Sequence, residues 1–570
     1  MKKEINLFNN IKELIYNSVE KYGNKIAFTT KIKKSDKVEY KEISYNELLE
    51  DINNFGTALY NLGLENSRIA IVGKNSYEWA MAHLTNLLGG IVSVPLDKGL
   101  QLEELQNSLI RSKVEAVIFD DKQVENIQKI KENNNTNIKY YISMSNLEGF
   151  ENVTNLILEG KKLIDKGEKS YINKNIDSDK MGILLFTSGT TSKSKAVMLS
   201  QKGIATNIYD MQLVETFYTT DVNIAFLPFH HVFGSTGMLV MLACGVKTVF
   251  PDGLKYVKKN LKEYGVSVFI GVPLLIDKIY ENVQKEIKKQ GKEKKLKIGL
   301  RISKFLLKIH IDIRRKLFKD VIDGLGGKMR FIISGGAPLN KETAQHFKEL
   351  GMRVVQGYGL TETSPVIAAE GDNCVRTGSI GKPMKHVELE IINKDASGIG
   401  EIRVKGPNVM LGYYEDEEKT NEVLKDGWFY TGDLGYIDKN GFIFITGRKK
   451  DMIVLKNGKK VFPEELEMII NKLEEVDECF VYGIPNEEDE NDFKLSVKIV
   501  YNEDVIKYKY GIIREEELHK ILWTKIKEIN KTLPQYKYIK NMILTKEPLI
   551  KTTTNKIKRN EELKKLNINM

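Results

Sequence analysis

The chain has 570 residues, 41% of them apolar and 29% charged, with 12 prolines and a formal charge of +10. This is the composition of a folded protein with room for two or more domains, and it excludes a collagen-like or disordered chain. Cys244, Cys374 and Cys479 lie far apart with no Cys-x-x-Cys pair, which argues against a disulfide framework or zinc knuckle and for a reducing, cytoplasmic setting. The start, MKKEINLFNNIKELIY, is too polar for a secretory signal. The most apolar stretch, Phe226 to Phe250, is broken by His230, His231 and Lys247, so no transmembrane helix is expected.

Taken in chain order, short β-rich runs at Arg68 to Val72, Ile91 to Val94, Val114 to Phe119, Ile183 to Phe186 and Val266 to Ile270 alternate with helical segments. That rhythm predicts α/β layers around largely parallel sheets. The fourth run opens into FTSGTTSKSKAVMLS, Phe186 to Ser200. Backbone N–H groups around Gly189, hydroxyls of Thr187, Ser188, Thr190 and Thr191, and the charges of Lys193 and Lys195 suit phosphate oxygens. A flexible Ser/Thr/Gly surface loop has the same composition, so this segment by itself leaves both readings open. A Walker loop is excluded: the glycine it requires five residues before each Gly-Lys pair is replaced by Arg68, Asn155, Glu286, Ile322, Arg376 or Ile453.

Between Lys285 and Lys319 the chain carries 14 Lys/Arg against 3 Asp/Glu, a net +11, so the rest is almost neutral. Ile298, Ile302, Phe305, Leu306, Ile309, Ile313 and Leu317 recur there at spacings of three and four, an apolar stripe on a basic helix. Peripheral contact with an anionic membrane and a surface helix packed by its stripe are both consistent with this pattern. Nucleic acid is not expected as a partner, because no nucleic-acid fold signature accompanies the charge. After Gly378 closely spaced strands, Glu388 to Asn393, Gly400 to Val404 and Gly441 to Thr446, predict a small β-rich subdomain. Beyond Lys450 the chain returns to α+β character, with a helix starting at Pro463 and strands at Cys479 to Ile484 and Lys494 to Val500. The boundary falls near Gly447 to Lys450, giving domains 1–449 and 450–570.

Six more segments follow the hydroxyl loop: LPFHHVFG (Leu227 to Gly234), SGGAPL (Ser334 to Leu339), QGYGLTETSP (Gln356 to Pro365), GWFYTGDLG (Gly427 to Gly435), GRKKDMI (Gly447 to Ile453) and IKTTTNKIKR (Ile550 to Arg559). In this order they resemble the acyl-adenylate-forming ligases, the superfamily of acyl-CoA synthetases, firefly-type luciferases and nonribosomal-peptide adenylation domains. The resemblance runs from about Tyr45 to Arg559. It implies an α/β fold: a large N-terminal domain of two sheet lobes with a small β-barrel-like subdomain, followed by a small mobile α+β C-terminal domain.

It also implies roles. Glu362, a hard oxygen ligand, is expected on Mg²⁺ beside Thr361, and Tyr358 against adenine with Gln356, Gly357 and Gly359 around it; Gly335, Gly336 and Ala337 approach the base. Asp433 is expected on the ribose hydroxyls with Arg448 next to it, and His231 at the carboxylate and acyl pocket. His230 reads as a core histidine; adjacent in a strand, the two would point to opposite faces. Lys450 matches the hinge, Gly458 a residue bordering the pantetheine tunnel, and Lys556 the catalytic lysine. The reaction implied is ATP-dependent activation of a carboxylic acid through acyl-AMP, then transfer to coenzyme A. Two departures stand out: Ser192-Lys193-Ser194-Lys195-Ala196 replaces the family's Gly-x-Pro-Lys-Gly, and Asn555 its glycine before the lysine.

No aspartate follows the Phe229 to Ser235 run to pair with a substrate ammonium, which disfavours amino acids. No carrier domain follows Arg559, which favours free coenzyme A. The basic insertion before SGGAPL is similar to that of long-chain fatty acyl-CoA synthetases, so a long-chain fatty acid is the expected substrate, ahead of medium-chain or aryl acids and acyl-carrier-protein transfer. A non-catalytic lipid- or membrane-binding protein on the same fold is the alternative from another class.

Overall fold

The computed structural model describes residues 5–34, 37–187, 194–372, 374–456, 458–486, 489–551 and 557–568. Two large sheets dominate. In the first, strands Val92–Leu96, Arg68–Val72, Ala116–Phe119 and Tyr140–Ser143 run parallel, and the hairpin Met181–Thr187 with Lys195–Ser200 extends one edge. The second has nine strands, with six parallel members from Ile26–Lys34 to Arg353–Gly359 and antiparallel strands at both edges. The parallel runs anticipated from sequence fall on these strands, with ends shifted by one or two residues.

What joins the sheets is a shared helical layer. Helix Tyr77–Leu88 is buried on nearly every side, and helix Val232–Ala243 buries Val232 and Gly234 through Leu242. A helix that is apolar all round belongs in an interior. One continuous core accordingly links Ile69 and Ile71 of the first sheet, Trp79 and Met238 of these helices, and Val268 and Phe331 of the second sheet. Separate clusters cover each sheet's outer face. The N-terminal unit is therefore layered helix, sheet, helix, sheet, helix.

The β-rich subdomain is a five-stranded antiparallel sheet containing Glu388–Ile392, Gly400–Lys405, Trp428–Ile437 and Ile443–Arg448. Chain from residue 453 onward has its own core, in which helices Pro463–Ile470 and Glu515–Lys531 cover a sheet of Val476–Asn486, Asp489–Tyr501 and Asn541–Thr545. Ion pairs Lys460–Asp395 at 3.1 Å and Lys472–Glu342 at 2.7 Å tie this C-terminal unit to the larger one. The basic segment is not one helix. It comprises the end of Pro273–Lys289, all of Glu293–Lys308 and the short Arg314–Leu317.

One polar contact sits inside the C-terminal unit. Lys498 Nζ lies 2.8 Å from Glu562 Oε2, both side chains almost fully buried, and Glu562 Oε1 accepts the Ile550 N–H at 2.6 Å. Removing one partner leaves the other charge buried and uncompensated. Glu562→Ala is expected to destabilise the C-terminal unit by about 3–5 kcal/mol, seen as an early phase in urea unfolding that the wild-type chain lacks.

Candidate active site

A cleft of ≈ 3340 Å³ opens between the two units, and the predicted segments converge on it. Single small-molecule sites are roughly 300–1,000 Å³, so several ligand groups fit at once. Strands Trp428–Ile437 and Ile443–Arg448 set Asp433 opposite Arg448 in antiparallel register. Arg448 Nε lies 2.9 Å from Asp433 Oδ1, and the Tyr358 hydroxyl donates to Asp433 Oδ2 at 2.6 Å. Asp433 is 4% exposed. An ionised carboxylate has about four lone-pair sites, so Asp433 keeps acceptor capacity for a ligand's hydroxyls after these two bonds. Burial and the neighbouring carboxylate push the Tyr358 hydroxyl well above the ordinary tyrosine value, keeping it a donor.

Glu362 sits in the short 3-10 turn Thr361–Thr363, directly after the strand bearing Gln356, Gly357, Tyr358 and Gly359. Its Oε1 accepts the Tyr413 hydroxyl at 2.9 Å. Lys195 Nζ lies 3.4 Å from the same hydroxyl and 4.5 Å from the ring centroid. Lys195 pairs in register with Thr187, at the closed end of the hairpin. Tyr413 thus couples Glu362 to the stem of the hydroxyl loop. Sequence reasoning passed over it, and no spacing rule marks a tyrosine in an apolar run. It also passed over Arg111, which donates to the Ser194 carbonyl at 2.9 Å and lies over Phe186.

Ser188, Gly189, Thr190, Thr191 and Lys556 lie outside the described residues. Of the remaining expected site residues, Thr187, Lys195, His231, Gly335, Gly336, Ala337, Gln356, Gly357, Tyr358, Gly359, Thr361, Glu362, Asp433, Arg448, Lys450 and Gly458 all line the cleft. Gly335 permits a close approach, since a Cβ there would stand 3.0 Å from the Phe233 ring. Gly458 is required for another reason. Its φ of +74° is a left-handed conformation, and a Cβ would meet nothing within 4 Å. In this orientation the turn, not steric exclusion, selects glycine there.

The histidines correct the strand-based expectation. Residues 229–231 form a turn leading into helix Val232–Ala243, and the rings of His230 and His231 face each other at 4.4 Å instead of pointing apart. His230 is buried, with Nε2 3.5 Å from Asp97 Oδ2. Along the helix after His231, Val232, Thr236, Gly237, Val240 and Met241 also line the cleft, apolar but for Thr236.

Glu370 is a further residue with no sequence signal. It lines the cleft, is 3% exposed, and accepts the backbone N–H groups of Gln356 at 3.1 Å and Arg376 at 3.0 Å. Burial raises its carboxyl to about 7.

The comparisons with known proteins fit this geometry. The profile of the AMP-binding enzyme family matches residues 15–414, and that of the AMP-binding enzyme C-terminal domain matches residues 450–568. The chain belongs to the AMP-binding enzyme family. It is 30% identical over 482 residues to a mouse protein named long-chain-fatty-acid–CoA ligase 5, covering 78% of this chain and 69% of the relative. Fatty acyl-CoA synthetase B of Dictyostelium discoideum is 30% identical over 508 residues, covering 82% and 74%. Among solved structures, the anthranilate CoA ligase AuaEII in complex with anthranoyl-AMP matches with a TM-score of 0.76 at 19% identity, covering 99% of this chain and 98% of that one. At that identity the match speaks for the fold.

Two outcomes follow from the site. Tyr358→Phe removes the hydroxyl from Asp433, and steady-state kinetics should show KM for ATP raised about tenfold with kcat changed less, the size expected for one bond to a charged acceptor. Glu370, raised in the folded chain, binds a proton there that the unfolded chain releases above about 4.5. Stability due to this group therefore falls as pH rises from about 4.5 to about 7, by on the order of 3 kcal/mol. Urea midpoints across that range should show the slope in the wild-type chain and a flatter one in Glu370→Gln.

Proposed function

We propose that this AMP-binding enzyme is a long-chain fatty acid–coenzyme A ligase. The observation carrying this reading is the set of apolar residues Val232, Gly237, Val240 and Met241, which line the same cleft as His231, Tyr358 and Asp433. The names of the mouse and Dictyostelium relatives support it. A carboxylate is a poor acylating agent because oxide would be its leaving group. ATP removes the difficulty. The carboxylate oxygen attacks the α-phosphorus, pyrophosphate leaves, and the acid becomes a mixed anhydride with AMP. The thiol of coenzyme A then adds to the carbonyl carbon, giving up its proton, and AMP departs with the electron pair of the broken C–O bond.

Chain residues have distinct tasks in this scheme. Asp433, held by Tyr358 and Arg448, takes the ribose hydroxyls. Thr187, Lys195, the 188–191 loop and Lys556 offset charge as two anions meet. A single hard carboxylate, Glu362, suits Mg²⁺, which keeps most of its water ligands and needs no all-protein cage; when bound, the ion neutralises phosphate charge. Among the described residues no group of three or more His, Cys, Asp or Glu could hold a metal ion. Lys450 is the pivot for rotation of the C-terminal unit between the two half-reactions, which brings Gly458 beside the pantetheine arm. Peripheral contact with an anionic membrane through residues 285–319 completes the reading. Among the described residues no helix is long and apolar enough to cross a membrane.

Transfer to an acyl-carrier protein is the second reading, favoured by a relative from Arabidopsis thaliana, 26% identical over 560 residues and named as a long-chain-fatty-acid–acyl-carrier-protein ligase. Pyrophosphate release measured across fatty acids of increasing length, with coenzyme A or carrier protein as acceptor, separates the two. Lys556→Ala should abolish acyl-AMP formation while thioester formation from supplied acyl-AMP continues. Equal loss of both steps would remove Lys556 from the first.

A further inference from the structure

Helix Val232–Ala243 is the crossover between the parallel strands Val222–Ile224 and Lys247–Val249, so it runs against the strand direction. His231 caps its start, and Met241 lies about 15 Å further along the axis, on the side where the parallel strands begin. The end of helix Gln201–Val214 meets it there, with Cys244 Sγ donating to Gln212 Oε1 at 3.7 Å. Met211, Val214 and the capping Glu215 line the cleft, as do Val240 and Met241.

The sheet faces these helices in rows. Ile270, Ile333 and Val355 stand in register on three adjacent strands and line the cleft. Gly335 and Gly357, two residues further along their strands, share that face on the nucleotide side. Two residues back, the next row of the same face is Val268, Phe331 and Arg353. Arg353 is therefore about 13 Å down the strand from Gly357, with its guanidinium over the Phe331 ring, 4.9 Å from the centroid.

Glu215 and Arg353 meet at this end. Arg353 Nη2 lies 2.6 Å from both Glu215 oxygens, Glu215 is 8% exposed, and Arg353 Nη1 is paired with Asp372. The contact is under-satisfied for a buried one. Arg353 Nε is buried with no acceptor among the described residues. The Glu215 carboxyl, pushed up to about 8 by burial despite Arg353, keeps free lone pairs in either protonation state. The far end of a pocket built only for a hydrocarbon tail has no use for such a group.

We propose that Glu215 is a specificity-determining residue that accepts a hydroxyl from the far end of the acyl chain, so that the preferred substrates are fatty acids hydroxylated at or near the terminal carbon. This rests on the fatty-acid reading above. With the carboxylate at His231, the chain extends past Gly237, Val240 and Val355 toward the Glu215–Arg353 pair. A terminal methyl there shields the pair from water and returns no bond, whereas a hydroxyl donates to Glu215. A terminal carboxylate is rejected, because it brings a third acid to a guanidinium already shared by Glu215 and Asp372.

The test measures pyrophosphate release by the full chain with matched straight-chain acids, unsubstituted or hydroxylated on the terminal carbon, from medium to long chain, and with the corresponding dicarboxylic acids. In the wild type, kcat/KM should favour the hydroxylated acid at least tenfold once the chain reaches the pair, and shorter pairs of acids should not be separated. Glu215→Leu should bring the ratio to one or reverse it. Glu215→Gln keeps an acceptor in nearly the same volume and should lower the ratio severalfold without abolishing it, which provides a reading even where the leucine variant fails to fold. Each ratio is taken on one preparation, so a loss of folded protein cancels.

A ratio near one at every length in the wild type overturns the proposal, as does a preference that both variants leave unchanged. Preference for the dicarboxylic acid overturns it too, since Arg353 would then be the recognising group. Turnover of unsubstituted acids with no response to the hydroxyl removes this specificity alone; no turnover of any series removes the fatty-acid reading and the specificity with it.

Discussion

The Asp433 carboxylate takes a hydroxyl from Tyr358 on one oxygen and a guanidinium from Arg448 on the other, and this three-way contact fixes where the cleft lies. Tyr358 belongs to the nine-stranded sheet, whereas Asp433 and Arg448 face each other across the antiparallel subdomain. The subdomain is thereby held against the carboxyl end of the parallel strands, where open α/β sheets present their ligand crevices. The chain then turns at Lys449–Asp451 and enters the C-terminal unit. A buried, doubly bonded carboxylate is costly to place unless every partner is present. One satisfied charge thus ties the strand bearing Tyr358 to the strand from which the chain leaves for the C-terminal unit.

A second contact of the same kind joins the two large sheets. Tyr413 comes from a two-residue strand paired to the hydroxyl-loop hairpin, and it reaches Glu362 at the end of a strand in the other sheet. Burial and the neighbouring carboxylate raise its hydroxyl well above the ordinary value, so it remains a donor. Lys195, Tyr413 and Glu362 form a short polar line between the two sheets. One neutral tyrosine there separates the loop cation from the turn carboxylate and contacts both.

Much of this architecture is legible in the sequence because its causes are local. Alternation and β-branched runs mark Arg68 to Val72 and Ala116 to Phe119, and proline at the first helical position marks Pro463. The site is legible as seven ordered segments. Contacts made by long-range closure are not. Nothing in the run holding Tyr413 says that it will stand opposite Glu362, 51 residues away, and Glu370 becomes unusual only through burial. The histidine pair shows a different limit. Treating residues 230 and 231 as strand assigned them opposite faces, whereas a turn closed by the His231 N–H donating to the Pro228 carbonyl at 3.1 Å brings their rings together. Likewise the period of the basic helix fixed which side chains share a face, but not which face the protein keeps.

The two ion pairs between the units, Lys460–Asp395 and Lys472–Glu342, join side chains that are each at least 30% exposed. Exposed pairs of this sort contribute about 0–1 kcal/mol apiece, little more than thermal energy. The cores on either side are independent and apolar, and neither depends on the pairing. Phe462, at the start of helix Pro463–Ile470, also packs against Gly447, where a Cβ would come within 2.7 Å of its ring. Added salt would screen the two pairs and leave this apolar contact standing.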